Sequence, residues 1–161
     1  MSLSLTYAAN LTAVETLEGN TDGIAASSRR VTWSAFDNAG TYSATSSPPV
    51  TKIGAKLAAL TAGALTIDLT ALTGWGANGA NVDGTGLKLQ FFRVRNLGAA
   101  DMTFATGGAS GYNFGGPFTV KAGCEVLFKF NDNLPDVAAG VKNIGVTGTG
   151  TDTAEVTLVL G

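Results

Sequence analysis

The chain has 161 residues, of which 45% are hydrophobic and only 14% are charged, and its formal net charge at pH 7 is −2. This length and hydrophobic content predict one domain with a full core. Arg29-Arg30 is the one basic doublet, which argues against direct nucleic-acid binding. So few charges leave a surface of Thr, Ser, Asn and Gly, and we therefore expect other protein to cover part of it.

Histidine is absent, which removes the commonest general base and metal ligand, and one cysteine, Cys124, excludes an internal disulfide. The first residues, Met1 to Tyr7, lack the basic and apolar segments of a secretion signal. No window approaches the roughly 18 apolar residues of a membrane-spanning helix. We therefore expect a protein that is made in the cytoplasm and has no membrane partner.

The first 45 residues predict short strands. Leu3, Leu5 and Tyr7 alternate with polar residues, as do Val31, Trp33 and Ala35. A turn cluster at Glu18–Gly23 separates them, and Ser46-Ser47-Pro48-Pro49 forms a stiff break. We predict that residues 1–45 are strands packed on, or an arm extending from, a sandwich domain of residues 46–161.

After this break, two segments predict a hairpin. Val50 to Leu60 places Ile53, Ala55, Leu57 and Ala59 on one face, and Leu65, Ile67 and Leu69 share a face in the next segment. The alanines in Ala55–Leu60 also suit a short helical turn, but the flanking Gly and Thr residues favour a strand.

The longest predicted strand ends at Asn96. Leu87, Leu89 and Phe91 share one side, and then Phe92 and Val94 occupy the other. Such a switch means that both faces are covered or that a bulge resets the alternation. We predict an irregularity at Phe91-Phe92, with aromatic burial on both faces of a central strand.

The remaining strands follow at short, regular intervals. They are predicted around Met102 and Phe104, Phe118 and Val120, Cys124 to Phe130, Ile144 and Val146, and Ala154 to Leu160. Cys124 opens an apolar alternation, which indicates a small core residue and not a nucleophile. The pattern predicts an all-β antiparallel sandwich of roughly eight to ten strands.

The candidate chemical motifs lack their required context. Gly74–Gly79 matches the glycine pattern of dinucleotide sites, but β-structure follows it and no acidic residue stands about 20 positions on. Asn78, Asn81 and Asp83 offer oxygens for calcium, yet one carboxylate and neighbouring glycines suit a turn better. No acid pair is evident among the glutamates. We predict no cofactor, no metal and no enzymatic activity.

Five residues are candidate protein-contact residues. Trp75, Tyr112 and Phe114 lie in predicted loops, where aromatic side chains either contact partners or fold back onto the ends of the sandwich. Arg93 and Arg95 are predicted to face outward, where they either pair with carboxylates of a partner or form a solvated face.

Several segments of the chain resemble a known class of proteins. They are Leu60–Leu72, Val82–Lys88 with the charged strand after it, Gly111-Tyr112-Asn113-Phe114, and Gly148–Thr151 with the terminal strand. Together, over about residues 45–161, they resemble small virion structural proteins of tailed bacteriophages, namely capsid decoration (cement) and minor structural proteins.

This resemblance implies a jelly-roll-like β-sandwich that binds the major capsid protein on the exterior of the virion and stabilises the shell. It further implies self-association, commonly as a homotrimer, after synthesis in the host bacterial cytoplasm. It transfers no functional residue. The alternative is a carbohydrate- or receptor-binding module of a head or tail fibre that holds a glycan through Trp75, Tyr112 and Phe114.

Overall fold

The computed structural model describes residues 3–9, 13–17, 29–33, 38–130 and 132–161. These residues form twelve strands and two short 3₁₀ helices, Ala77–Gly79 and Gly108–Ser110. Within the described ranges, no helix has the length and apolar character needed to cross a membrane. In chain order the strands are β1 (Ser4–Ala9), β2 (Ala13–Leu17), β3 (Arg29–Trp33), β4 (Asn38–Ser43), β5 (Lys52–Ala59), β6 (Ala64–Asp68), β7 (Leu89–Asn96), β8 (Met102–Thr106), β9 (Phe118–Val120), β10 (Glu125–Lys129), β11 (Asn143–Thr147) and β12 (Thr153–Leu160).

The last eight strands form a jelly roll. The first sheet has the order β10-β7-β12-β5, the second has the order β6-β11-β8-β9, and all pairs are antiparallel. Counted from β5, the first strand therefore lies beside the eighth, the second beside the seventh, and so on inward. This is the double-sheet jelly-roll arrangement. The predicted all-β, jelly-roll-like antiparallel sandwich is confirmed.

An aromatic cluster fills the space between the two sheets. The ring of Phe92 meets Phe104, Phe114 and Phe118 edge-on, with centroid separations of 5.8, 5.7 and 5.9 Å. Phe118 also stacks on Phe104 at 5.3 Å. Edge-to-face and offset contacts of this kind stabilise a core beyond the area that they bury. The cluster therefore fixes the two sheets against each other.

Strand β7 is buried on both faces, as predicted. Phe92 is 0% exposed in the core between the sheets, and Phe91 is 3% exposed on the opposite side. The irregularity lies at Gln90, one position before the predicted site, because the pairing with β12 passes from Phe91–Val159 to Leu89–Leu160. This bulge places Leu89 and Phe92 on the same side of the sheet.

The predicted hairpin between the segments now defined as β5 and β6 is wrong. β5 pairs with β12 in the first sheet, and β6 pairs with β11 in the second. The chain changes sheets at a tight corner, where Ala62 and Gly63 have φ values of 51° and 80°. Alternation identified both strands, but it carries no information about pairing partners that lie 94–108 residues away for β5 and 75–83 residues away for β6.

Cys124 is also not the core residue that its position in the alternation predicted. Its side chain is exposed, and β10 begins one residue later. The residue closes the turn at Gly123, whose φ is 72°. The regular alternation therefore starts at Glu125 and not before it.

A second layer covers part of the outer face of the first sheet, which is the side that faces away from the second sheet. β1 pairs with β4 in a two-stranded sheet, here called the strap. Leu5 and Tyr42 of the strap, together with Leu3 just before it, contribute to a hydrophobic cluster on this outer face. The other members of the cluster are Val50, Ile53, Phe91 and Val159. β2 and β3 form another two-stranded sheet, and the predicted turn at 18–23 lies outside the described residues.

The neighbouring residues Phe92 and Phe91 make the two layers separately testable. We expect Phe92→Ala to lower the free energy of unfolding by about 3–5 kcal/mol, the usual cost of removing a buried ring. Phe91→Ala is the matched control, because it removes the same ring from beneath the strap. We expect Phe91→Ala to lower the free energy of unfolding by less than Phe92→Ala does. We also expect it to speed amide exchange first in β1 and β4.

Urea unfolding followed by tryptophan fluorescence measures the first quantity, and native-state hydrogen exchange measures the second. Equal losses of stability, with uniform exchange in both variants, would mean that the strap and the sandwich form one undivided cooperative unit.

Candidate contact surface

The outer face of the first sheet carries a network of ion pairs. Arg93 and Arg95 point outward because they alternate with the inward-facing Phe92 and Val94. Arg93 donates two hydrogen bonds to Glu125, with Nε–Oε1 at 2.7 Å and Nη2–Oε2 at 2.9 Å. The Nη1 atoms of both arginines lie 3.8 and 3.7 Å from Oε2 of Glu155. The outward orientation thus agrees with the sequence analysis, but the carboxylates come from β10 and β12 of the same chain.

The two hydrogen bonds between Arg93 and Glu125 shift the pKa values of both groups. Donating to Glu125 raises the pKa of the Arg93 guanidinium, and accepting from Arg93 lowers the pKa of the Glu125 carboxyl. Both groups therefore stay charged throughout the neutral range. With two arginines facing two glutamates, the patch as a whole is close to neutral.

The strap borders this patch, and the contacts that hold it include a mixed polar and aromatic one. The Tyr42 ring lies 5.2 Å from the Phe91 ring, and Lys129 Nζ lies 4.9 Å above the Tyr42 ring. Lys129 Nζ also donates a hydrogen bond to the Tyr42 hydroxyl. A cleft of about 270 Å³ remains between the strap and the sheet, bordered by Thr6, Ala8 and Leu127 among others. The sequence pattern gave no sign that Tyr42 meets Lys129, because 87 positions separate them.

Two of the predicted contact aromatics are core residues. Tyr112 is 0% exposed and Phe114 is 5% exposed. The Tyr112 hydroxyl donates to the Pro135 carbonyl at 2.7 Å and accepts from the Leu89 amide at 3.1 Å. Burial raises the pKa of this hydroxyl. Both side chains thus fold back onto the sandwich, which was the second interpretation, and they offer no surface for a partner.

Trp75 is also largely buried, at 8% exposure, but it borders an open cleft of about 860 Å³. The cleft lies beside β5, and its lining includes the apolar residues Ile53 and Val82 and the polar residues Lys52 and Asn78. The carbonyl of Trp75 accepts a hydrogen bond from the Ala55 amide at 2.8 Å. The loop therefore lies along the edge of β5.

The oxygens that were considered for calcium serve this loop. Asp83 Oδ1 accepts from the Thr85 amide at 2.9 Å and from its hydroxyl at 2.6 Å. Asn81 Oδ1 accepts from the Gly74 amide at 3.0 Å. Both residues thus act as turn formers. Among the described residues, no group of three potential metal ligands converges.

The outer face of the second sheet differs from that of the first. Threonines alternate with the core residues there, and Thr103 and Thr119 join across the strands, with their hydroxyl oxygens 2.9 Å apart. Thr147 lies opposite Thr103 and is exposed. At the rim of this face, Asp68 is paired with Lys142 at 2.6 Å. The result is a surface of threonine and small residues, with the Asp68–Lys142 and Asp101–Lys121 ion pairs at its margins.

The chain matches no known protein family, no curated protein and no solved structure.

The Arg93–Glu125 pair predicts a small, pH-dependent contribution to stability. We expect Glu125→Gln to lower the free energy of unfolding at pH 7 by about 0.2–1 kcal/mol, the range for an exposed pair. A carboxyl whose pKa is lowered by folding stabilises the folded state at pH values above its ordinary pKa of about 4.3. This stabilisation is lost as the pH falls through the lowered pKa. The difference between wild type and variant should therefore vanish in acid.

Denaturant unfolding at several pH values measures this difference, and 1 M salt should shrink it. Glu155→Gln is the matched control, because Glu155 lies farther from the arginines, at 3.7–3.8 Å. This variant should lower the free energy of unfolding by less than Glu125→Gln does. A difference that stays constant down to the acid limit would show that the charge of Glu125 is not responsible.

Proposed function

We propose that the chain is a non-enzymatic structural protein of a tailed-bacteriophage virion, which binds the assembled capsid surface and stabilises it. The observation that carries the proposal is the jelly roll formed by β5 to β12, the fold that the resemblance to decoration proteins implies. The low charge content, 14% of residues, suits surfaces that meet other protein copies. The proposed partners are the major capsid protein and copies of the chain itself, as a homotrimer.

The proposed mechanism is the multiplication of modest contacts. A capsid repeats one surface many times, and a symmetric oligomer engages several copies of that surface at once. Once one subunit is bound, the others meet their sites at a high effective concentration, so the oligomer binds far more tightly than one subunit. A rigid module gains most from this effect, because little conformational entropy is lost on binding.

The face that best fits a capsid is the outer face of the second sheet. It presents Thr66, Thr103, Thr119 and Thr147, and its described acids, Asp68 and Asp101, are already paired with Lys142 and Lys121. Docking there would desolvate no unpaired charge, and such desolvation is what makes charged surfaces costly to bury. The first sheet carries the strap and the arginine–glutamate network on its outer face instead.

Binding to phage heads that lack the protein tests the proposal. We expect saturation at hundreds of copies per head and greater resistance of the shell to heat. Thr147→Glu should reduce occupancy at least about tenfold, because it places an unpaired charge in the contact. The matched control is Ala139→Glu, which adds the same charge to an exposed turn.

Quantitative mass spectrometry of purified particles gives the copy number. The proposal is wrong if wild-type protein does not bind at saturating concentration, and six or twelve copies would place it at a vertex or in the tail.

A second candidate function, glycan binding by a head or tail fibre, is favoured by the cleft beside Trp75. Its volume of about 860 Å³ suits a small saccharide, and its lining mixes apolar side chains with Lys52, Asp83 and the amides of Asn78 and Asn81. Asn78 has a φ of 56°, so Asn78→Gly removes one of these amides without backbone strain.

A glycan array distinguishes this candidate from the first. We expect wild type to bind a defined set of glycans, and Asn78→Gly to bind them at least about tenfold more weakly, if the cleft is the site. An array without signal, from protein that still binds heads, excludes this function.

A further inference from the structure

One flank of the sandwich carries an open cleft between the edges of the two sheets. β5 is an outermost strand of the first sheet, and β6 is an outermost strand of the second. A cleft of about 400 Å³ lies between them, and Ala58, Leu65 and Ile67 are among the residues that line it. The cleft is therefore bordered by two strands, each of which has a neighbouring strand on only one side.

Part of the β5 edge presents unpaired backbone groups. The Ala55 amide points away from β12, because it donates to the Trp75 carbonyl at 2.8 Å. Backbone groups of alternate residues point the same way in an antiparallel strand. The amides and carbonyls of Leu57 and Ala59 therefore face the open edge, and none of them has a hydrogen-bond partner among the described residues.

The β6 edge offers fewer such groups. Its edge-facing residues are Ala64, Thr66 and Asp68, because they alternate with the residues that are bonded to β11. Ala64 exchanges hydrogen bonds with Thr61, and the Asp68 carbonyl accepts from the Ala71 amide at 3.1 Å. Of the two edges, β5 is therefore the one at which a further strand can pair through consecutive edge-facing residues.

An unpaired strand edge is a template for pairing with another chain. We propose that an extended segment of the major capsid protein adds to the first sheet beside β5, where it exchanges backbone hydrogen bonds with Leu57 and Ala59. This inference rests on the proposed function, and it adds which part of the partner is bound and how it is held. The location is continuous with the proposed capsid face, because Thr66 belongs to that face and also lines the cleft.

The side chains along the edge define the composition of the added segment. Leu57 is 59% exposed on the outer face, so an apolar residue fits opposite it. Lys56 lies on the cleft side, and its Nζ donates to the Thr73 carbonyl at 3.0 Å. Among the described residues Lys56 has no carboxylate partner, whereas the acid of the cleft, Asp68, is already paired with Lys142. An acidic residue therefore fits beside Lys56, and the segment alternates apolar and acidic side chains.

Proline substitutions at the two edges of the first sheet test the added strand. Leu57→Pro removes an amide that points away from β12, so the sheet of the free protein keeps its hydrogen bonds. Leu127→Pro is the matched control, because Leu127 is an exposed leucine of the opposite edge strand and its amide points away from β7. On purified heads that lack the protein, occupancy should fall at least about tenfold for Leu57→Pro and stay at the wild-type value for Leu127→Pro.

Hydrogen exchange of the wild-type protein gives a readout that needs no substitution. The amides of Leu57 and Ala59 should exchange at least about tenfold more slowly on heads than in the free protein, because they become hydrogen-bonded. Unchanged exchange of these two amides in fully bound protein would overturn the inference.

Lys56→Gln tests the acidic residue of the segment. Lys52→Gln is the matched control, because both lysines belong to β5 and each donates a hydrogen bond to a loop carbonyl, that of Thr73 or of Asp83. We expect the dissociation constant for heads to rise about two- to fivefold for Lys56→Gln, the range for an exposed ion pair, and to stay unchanged for Lys52→Gln. Equal effects of the two substitutions would exclude an acidic residue beside Lys56.

The failure of this inference is distinguishable from the failure of the proposed function. Wild-type protein that binds heads, with Leu57→Pro reduced no more than Leu127→Pro, overturns the added strand and leaves the proposed function standing. Wild-type protein that binds no heads overturns both.

Discussion

Phe91 and Phe92 follow each other along β7, and both rings are buried. Adjacent side chains in a strand point to opposite faces, so no single pair of sheets can cover both. Phe92 is covered by the second sheet, and Phe91 by the strap. Burial of two consecutive aromatic residues thus needs three layers, and the strap over Phe91 supplies the third.

The bulge at Gln90 determines which side chains of β7 face each of these layers. Without it, Leu89 would share a side with Phe91, and Phe92 would lack its neighbour in the core. Gln90 itself is fully buried, and its Nε2 donates to the carbonyl of Gly161 at 3.2 Å and to Asp132 at 3.3 Å. The end of the chain is thereby joined to the central strand at the point where the pairing is irregular.

The outer faces of the two sheets differ in the charged side chains that they present. On the first sheet, arginines and glutamates neutralise each other across strands, whereas the second sheet presents threonines. Neither face offers a concentrated charge that would attract a highly charged ligand.

The sequence determined the elements but not their partners. Alternation located most strands, predicted the all-β class and identified the double burial of β7, because strand periodicity depends only on local geometry. The same alternation led to two wrong predictions, namely that β5 and β6 form a hairpin and that Cys124 is a core residue. Pairing in a jelly roll is set between strands that lie far apart in the chain, and no local pattern records it.

The candidate contact residues show the same division. The sequence correctly placed Arg93 and Arg95 on an outward face, since this follows from their alternation with core residues. Only the tertiary structure decided that Glu125 and Glu155 neutralise them, and that the Tyr112 and Phe114 side chains enter the core from their loops. The physical reason is that a strand fixes the directions of its side chains locally, whereas the surroundings of those side chains depend on how the whole chain packs.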